Sequence, residues 1–131
     1  MFNGIIFSTG KVKSIIRNKN NFLIGIETNL VFSKKDLGSS VSCNGVCLTI
    51  SKIKNKLIIF YLSAETLKRS NFKLVKINKI INLEKSLIYG KKISGHFIQG
   101  HVDTVAKIKK IKFIGKSWVI KIQIEDKNFK Q

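Results

Sequence analysis

Val41-Ser42-Cys43-Asn44-Gly45-Val46-Cys47-Leu48-Thr49-Ile50 is the stretch from which the fold is read. The runs on either side of Asn44-Gly45 are apolar and rich in β-branched residues, which suit a pleated, half-buried surface. Asn44 and Gly45 both tolerate the positive φ of a type I′ turn, so the pattern predicts strands over residues 40–43 and 46–51 joined by a tight hairpin. The same texture extends outward: residues 10–16, 22–28, 57–62 and 80–84 each alternate or are enriched in β-branched side chains, and Asn, Gly, Ser and Lys separate them. Asn18-Lys19-Asn20-Asn21 and Lys54-Asn55 read as looser turns. Only residues 63–69 depart from this texture. Ser63 is cap-competent, Glu65 puts an acid in the first turn, and Lys68 and Arg69 put bases in the last, which predicts a short helix. Some six strands and one helical turn in this span point to an all-β, closed or nearly closed antiparallel barrel.

An offset of 96 positions lays Gly4-Ile5-Ile6 on Gly100-His101-Val102, Lys11-Val12 on Lys107-Ile108, and residues 22–26 on residues 118–122. The agreement is in residue class more than identity, but it runs through two strands and their turn without a gap. It is an internal repeat. Residues 1–90 form the first unit; residues 91–131 hold a linker and the opening strands of a second, similar barrel. A half-built barrel exposes strand edges and one apolar face. Residues 92–131 are therefore expected to pack on the first barrel, to pair with another copy, or to be poorly ordered.

The chain has 131 residues, 44% of them hydrophobic, which suffices for a packed core and excludes wholesale disorder. Its formal charge of +18 raises the possibility of a polyanion partner. The cations, however, are almost all lysines scattered singly, with arginine only at positions 17 and 69, and proline is absent. An A/T-rich coding sequence gives this composition without selection for nucleic acid, and no nucleic-acid or membrane partner is expected. No window approaches the roughly 20 apolar residues of a membrane span, and the N-terminus lacks a signal-peptide layout, so a soluble cytoplasmic protein is expected.

Cys43 and Cys47 are the only cysteines. Along one strand they would stand about 13 Å apart, beyond the roughly 7 Å reach of a disulfide, and across a hairpin they fall on opposite faces. The same geometry argues against zinc on Cys43, Cys47, His96 and His101, because the thiols diverge and the two pairs lie too far apart in sequence. No metal is expected.

Four segments are chemically unusual for a plain barrel: Met1-Phe2-Asn3-Gly4-Ile5-Ile6, the hairpin over residues 41–50, Leu62-Ser63-Ala64-Glu65-Thr66-Leu67, and Gly95-His96-Phe97-Ile98-Gln99-Gly100-His101-Val102-Asp103. In this order and spacing they resemble the signatures of the riboflavin synthase family, built from lumazine-binding repeats. The resemblance implies two six-stranded Greek-key barrels per chain and a homotrimer. It implies dismutation of two 6,7-dimethyl-8-ribityllumazine molecules to riboflavin and 5-amino-6-ribitylamino-pyrimidinedione, a transferase reaction without a cofactor. A non-catalytic lumazine or flavin carrier is the alternative, because the second barrel's serine segment and a C-terminal helix have no counterpart here. Asn3 stands where the family usually has threonine, and Phe7-Ser8 replaces an acidic pair.

The resemblance also implies a site. Gly4, Ile5 and Ile6 would line the pteridine with backbone groups, and Cys47, Leu48 and Thr49 would form the opposite wall. Ser63, Ala64, Glu65 and Thr66 would approach the ribityl chain. Gly100, His101 and Val102 would face the first barrel of another subunit. His101, Cys47 and Ser63 are the candidate catalytic groups, His101 because imidazole titrates near neutrality. Gly4, Cys47 and Ser63 are expected to surround one cavity. Without the resemblance, Cys47 reads as a small buried apolar residue, Ser63 as a helix cap, Glu65 as a dipole-compensating acid and His96 as a packed or solvated residue.

Overall fold

The computed structural model describes residues 1–124. Eight strands and one helix follow one another: β1 (Ser8–Arg17), β2 (Phe22–Thr28), β3 (Ser40–Cys43), β4 (Val46–Lys54), β5 (Leu57–Leu62), α1 (Ala64–Arg69), β6 (Ile80–Lys85), β7 (Ala106–Ile114) and β8 (Ser117–Ile124). Strands β1 to β6 close into an antiparallel barrel in the order β1-β2-β5-β4-β3-β6. β3, β4 and β5 are consecutive neighbours, and β2 returns to pair with β5, which is a Greek key.

The barrel closes because every strand has one apolar face. Val12, Ile24, Ile26, Leu48, Phe60 and Leu83 are at most 2% exposed and fill the interior. Side chains pack a small barrel solid, so no lumen remains for a ligand. Two short 3-10 turns that the sequence pattern does not announce lie at Lys34–Asp36 and Asn71–Leu74, and the second drops Phe72 into the core. β4 runs three residues past its expected end at Ser51, through an irregularity between Ile50 and Lys52; the Ser51 hydroxyl donates to the Ile59 carbonyl there at 2.9 Å.

The repeat is visible in the backbone. β1 and β2 pair with a register shift between Val12 and Ser14, and β7 and β8 pair with a register shift between Ile108 and Lys110, each 96 positions later. Phe2 also forms an antiparallel bridge with Ile98, its own counterpart in the repeat, through hydrogen bonds of 2.7 and 3.0 Å. Equivalent positions of the two repeats thus meet in this pair through reciprocal hydrogen bonds.

Residues 94–103 lie on the first barrel. Ser94 and His96 donate main-chain N–H groups to the Asn3 side-chain and main-chain oxygens, at 3.2 and 3.0 Å. β7 and β8 form a separate two-stranded ribbon, exposed throughout. Its cross-strand pairs Ile108 with Ile122, Ile111 with Ile120, and Phe113 with Trp118 share one face, while Lys110 and Lys121 share the other. Of the expected second unit, residues 125–131 lie outside the described residues.

Candidate ligand-binding site

The β3–β4 hairpin forms the first wall. Asn44 and Gly45 have φ of 49° and 84°, the two positive values that the turn needs. Cys43 pairs with Val46 and Ser42 with Cys47, so the cysteines point to opposite faces. Cys43 is fully buried and Cys47 half-buried; both are free thiols. Burial, helped by the neighbouring Cys47, pushes the Cys43 pKa far up, so this thiol stays protonated. Leu48 points into the core, whereas Thr49, exposed on the same face of β4 as Cys47, pairs with Tyr61 of β5.

Helix α1 forms the second wall. The Ser63 hydroxyl accepts the Thr66 N–H at 3.1 Å and lies 3.0 Å from the Thr66 hydroxyl, as an N-cap should. One turn on, Glu65 and Arg69 form an i,i+4 ion pair. The hydrogen bond from Arg69, reinforced by its charge, holds the Glu65 carboxyl below the usual glutamate value.

Residues 98–103 form the third. The Cys47 N–H donates to the Gly100 carbonyl at 2.8 Å, Val102 packs against the core, and an Arg69 Nη1 reaches the Asp103 carbonyl at 3.5 Å. Gly100 has φ +74°, and a Cβ there would sit 3.0 Å from both the nitrogen and the Cβ of Cys47. Only glycine fits this close approach. Between the three walls lies a cavity of about 200 Å³, lined among others by Cys47, Glu65, Thr66, Arg69, His101 and Val102.

Gly4 and Ile6 do not line it. They border a second concavity of about 510 Å³ on the other side of the hairpin, with Ser42, Asn44, Asn82 and Glu84. Glu84, 4% exposed, accepts the main-chain N–H groups of Asn3 at 2.5 Å and Gly4 at 3.1 Å. The structure thus divides what the sequence reading grouped around one cavity: Cys47, Glu65, Thr66 and residues 100–102 come together, Gly4 and Ile6 stand apart, and Ile5 and Ala64 are exposed beside neither. Ser63 supports the first cavity as a cap, without lining it. Residues 100–102, expected opposite another subunit, lie on their own barrel. The physical reason is the Phe2–Ile98 bridge, which folds the second repeat's opening segment back over the first.

Sequence reasoning missed Arg69 and Glu84. Arg69 was findable, three residues after Thr66 and so on the same helical face. A buried acid at the end of a strand leaves no such trace. Among the described residues no group of three or more His, Cys, Asp or Glu side chains is placed to hold a metal ion, and no helix is long and apolar enough to cross a membrane.

Fold and cavity together define a Greek-key β-barrel with a packed core and a cleft of about 200 Å³ on its outer wall. The model of the lumazine binding domain matches residues 3–86, and the chain belongs to that family. It is similar to the riboflavin synthase of Photobacterium leiognathi, with 39% identity over 91% of this chain and 56% of the relative. It is also similar to that of Photobacterium phosphoreum, with 32% identity over 95% and 57%. The chain thus spans a little over half the length of these curated relatives. Among solved structures, LumP complexed with 6,7-dimethyl-8-(1'-D-ribityl) lumazine aligns with a TM-score of 0.76 at 23% identity, over 97% of this chain and 71% of that one. LumP complexed with flavin mononucleotide gives 0.73 at 25% identity, over 95% and 70%.

Proposed function

We propose that the chain binds 6,7-dimethyl-8-ribityllumazine in the cavity between β4, α1 and residues 100–102, and serves riboflavin synthesis. The observation that carries this reading is the convergence of Cys47, Thr66 and His101 on one cleft in a barrel of the lumazine-binding family. The pteridine lies along the Cys47 wall, and the ribityl hydroxyls meet Thr66 and Glu65. His101 and Cys47 stand beside the ring, where the acidic 7-methyl proton must leave.

Dismutation needs two lumazines face to face, a proximity term that can supply roughly 7–11 kcal/mol. One molecule accepts a four-carbon unit and becomes riboflavin; the donor leaves as 5-amino-6-ribitylamino-pyrimidinedione. The repeat relation suggests where the second would bind. Gly4 has φ +77° and its counterpart Gly100 has φ +74°, so Gly4, Ile5 and Ile6 would stand to a second barrel as Gly100, His101 and Val102 stand to the first. Assembly with further copies, trimeric in the riboflavin synthase family, would bring two such sites together in the cytoplasm.

A second reading is a carrier that binds lumazine or flavin without turnover. It is favoured by the likeness to LumP, whose solved structures hold 6,7-dimethyl-8-(1'-D-ribityl) lumazine, riboflavin or flavin mononucleotide. Mixing the purified chain with 6,7-dimethyl-8-ribityllumazine separates the two. Growth of riboflavin absorbance supports the enzyme, altered lumazine fluorescence without riboflavin supports the carrier, and neither change overturns both.

A further inference from the structure

We infer that this cavity favours a ribityl ligand ending in a phosphate over the same ligand without one, with Arg69 as the phosphate arm; the inference rests on the proposed function and deepens it.

Thr66 and Arg69 lie three residues apart on α1, hence on one helical face, and both line the cavity. If Thr66 meets the ribityl hydroxyls, the end of the chain lies toward the helix C-terminus, where Arg69 stands. Among its contacts, Arg69 is held there from different walls by the Glu65 carboxylate on Nε and by the Asp103 carbonyl at 3.5 Å on Nη1. A guanidinium fixed in this way loses little freedom on taking a phosphate, and its planar fork matches two phosphate oxygens.

The surroundings carry the same sign. Lys68 precedes Arg69 in the last helical turn, and the chain as a whole carries +18. The opposing charge on this wall is Glu65, which already engages Arg69. A phosphate at the chain's end would compete with Glu65 for the guanidinium, and removing that carboxylate should therefore favour the phosphate.

The test compares riboflavin and flavin mononucleotide by fluorescence titration at low salt, with the full chain and its Arg69→Gln and Glu65→Gln variants. The readout is the ratio of the two affinities, which cancels general effects on the pocket. Flavin mononucleotide is expected to bind about tenfold tighter to the unaltered chain, as one charge-assisted contact provides. Arg69→Gln should bring the ratio to about one, and Glu65→Gln should widen it. Both side chains are about half exposed, and thermal melts verify that the variants fold. Equal binding of the two flavins overturns the inference and leaves the proposed function standing. A preference that survives Arg69→Gln also overturns it, because the lysine-rich surface would then be the cause. Binding of neither flavin overturns the proposed function itself.

Discussion

Gly100 and Cys47 touch backbone to backbone: the Gly100 carbonyl accepts the Cys47 N–H at 2.8 Å, and no side chain could stand between them. Through this contact the second repeat's opening segment closes a cavity on the first barrel. Gly100→Ala adds a Cβ at 3.0 Å from the Cys47 nitrogen, in a conformation with positive φ that costs an L-residue about 1–2 kcal/mol. The segment should lift, and riboflavin affinity should fall by about tenfold or more, following the same strain scale. The barrel's thermal midpoint should move little, since of this segment only Val102 packs against the core. A fluorescence titration beside a thermal melt checks both halves of this expectation.

The two cysteines should react differently. Cys43 is buried with its thiol held protonated, whereas Cys47 is half-buried on the cavity wall. A maleimide should label native protein only at Cys47, and saturating riboflavin should slow that labelling. Mass spectrometry of the labelled peptides decides the matter; label at Cys43 before unfolding contradicts the assigned faces of the hairpin.

Glu84 ties the N-terminal segment to β6 by accepting from Asn3 and Gly4. Glu84→Ala leaves the buried Asn3 N–H and the more exposed Gly4 N–H without their acceptor, and should cost about 1–3 kcal/mol in chemical denaturation. Glu84→Gln keeps one acceptor oxygen and should cost about half as much. Equal stability of all three proteins would show that the Glu84 contacts contribute nothing to the fold.

Acid should loosen the loop before β3. The Ser33 main-chain N–H, aided by Lys85 at 3.1 Å, holds the Asp36 carboxyl below its ordinary 3.8. A folded value below the unfolded one means stability that is present above about pH 4 and lost as the pH falls through the folded value. Asp36→Asn should therefore be less stable by about 1 kcal/mol at neutral pH, and the gap should close once the pH falls below the folded value. Denaturation of both proteins across that range tests it.

Phe60 and Trp118 separate the barrel from the ribbon. Phe60 is 1% exposed in the core, so Phe60→Ala should cost about 3–5 kcal/mol. Trp118 is 68% exposed, and Trp118→Ala should leave the barrel's unfolding midpoint within about 0.5 kcal/mol of its starting value. A large effect at Trp118 would place the ribbon within the cooperative unit.

Much of this architecture was legible because local signals carry it. Alternation marked the six barrel strands, Asn44-Gly45 fixed the hairpin, and Ser63 with Glu65 announced α1. Bulges escaped notice: nothing in Ser51 tells that β4 continues to Lys54 through an irregular pair. The partition of the site escaped for a deeper reason. Whether residues 4–6 or 100–102 lie against Cys47 depends on the Phe2–Ile98 bridge, a contact between distant segments that are similar to one another. Similar segments look interchangeable in sequence, and only the crossing decides which one serves which barrel. Arg69 and Glu84 likewise acquire their surroundings from segments 34 and 81 positions away.

The extra residue that shifts the register of β1 reappears in β7, and a bulge of this kind bends the strand that carries it and adds to its twist. Any surface that is to sit flush on Ile108, Ile111 and Ile120 must therefore follow that twist. A flat sheet could not stay in contact along a twisted ribbon, so shape, before stickiness, selects what can cover that face.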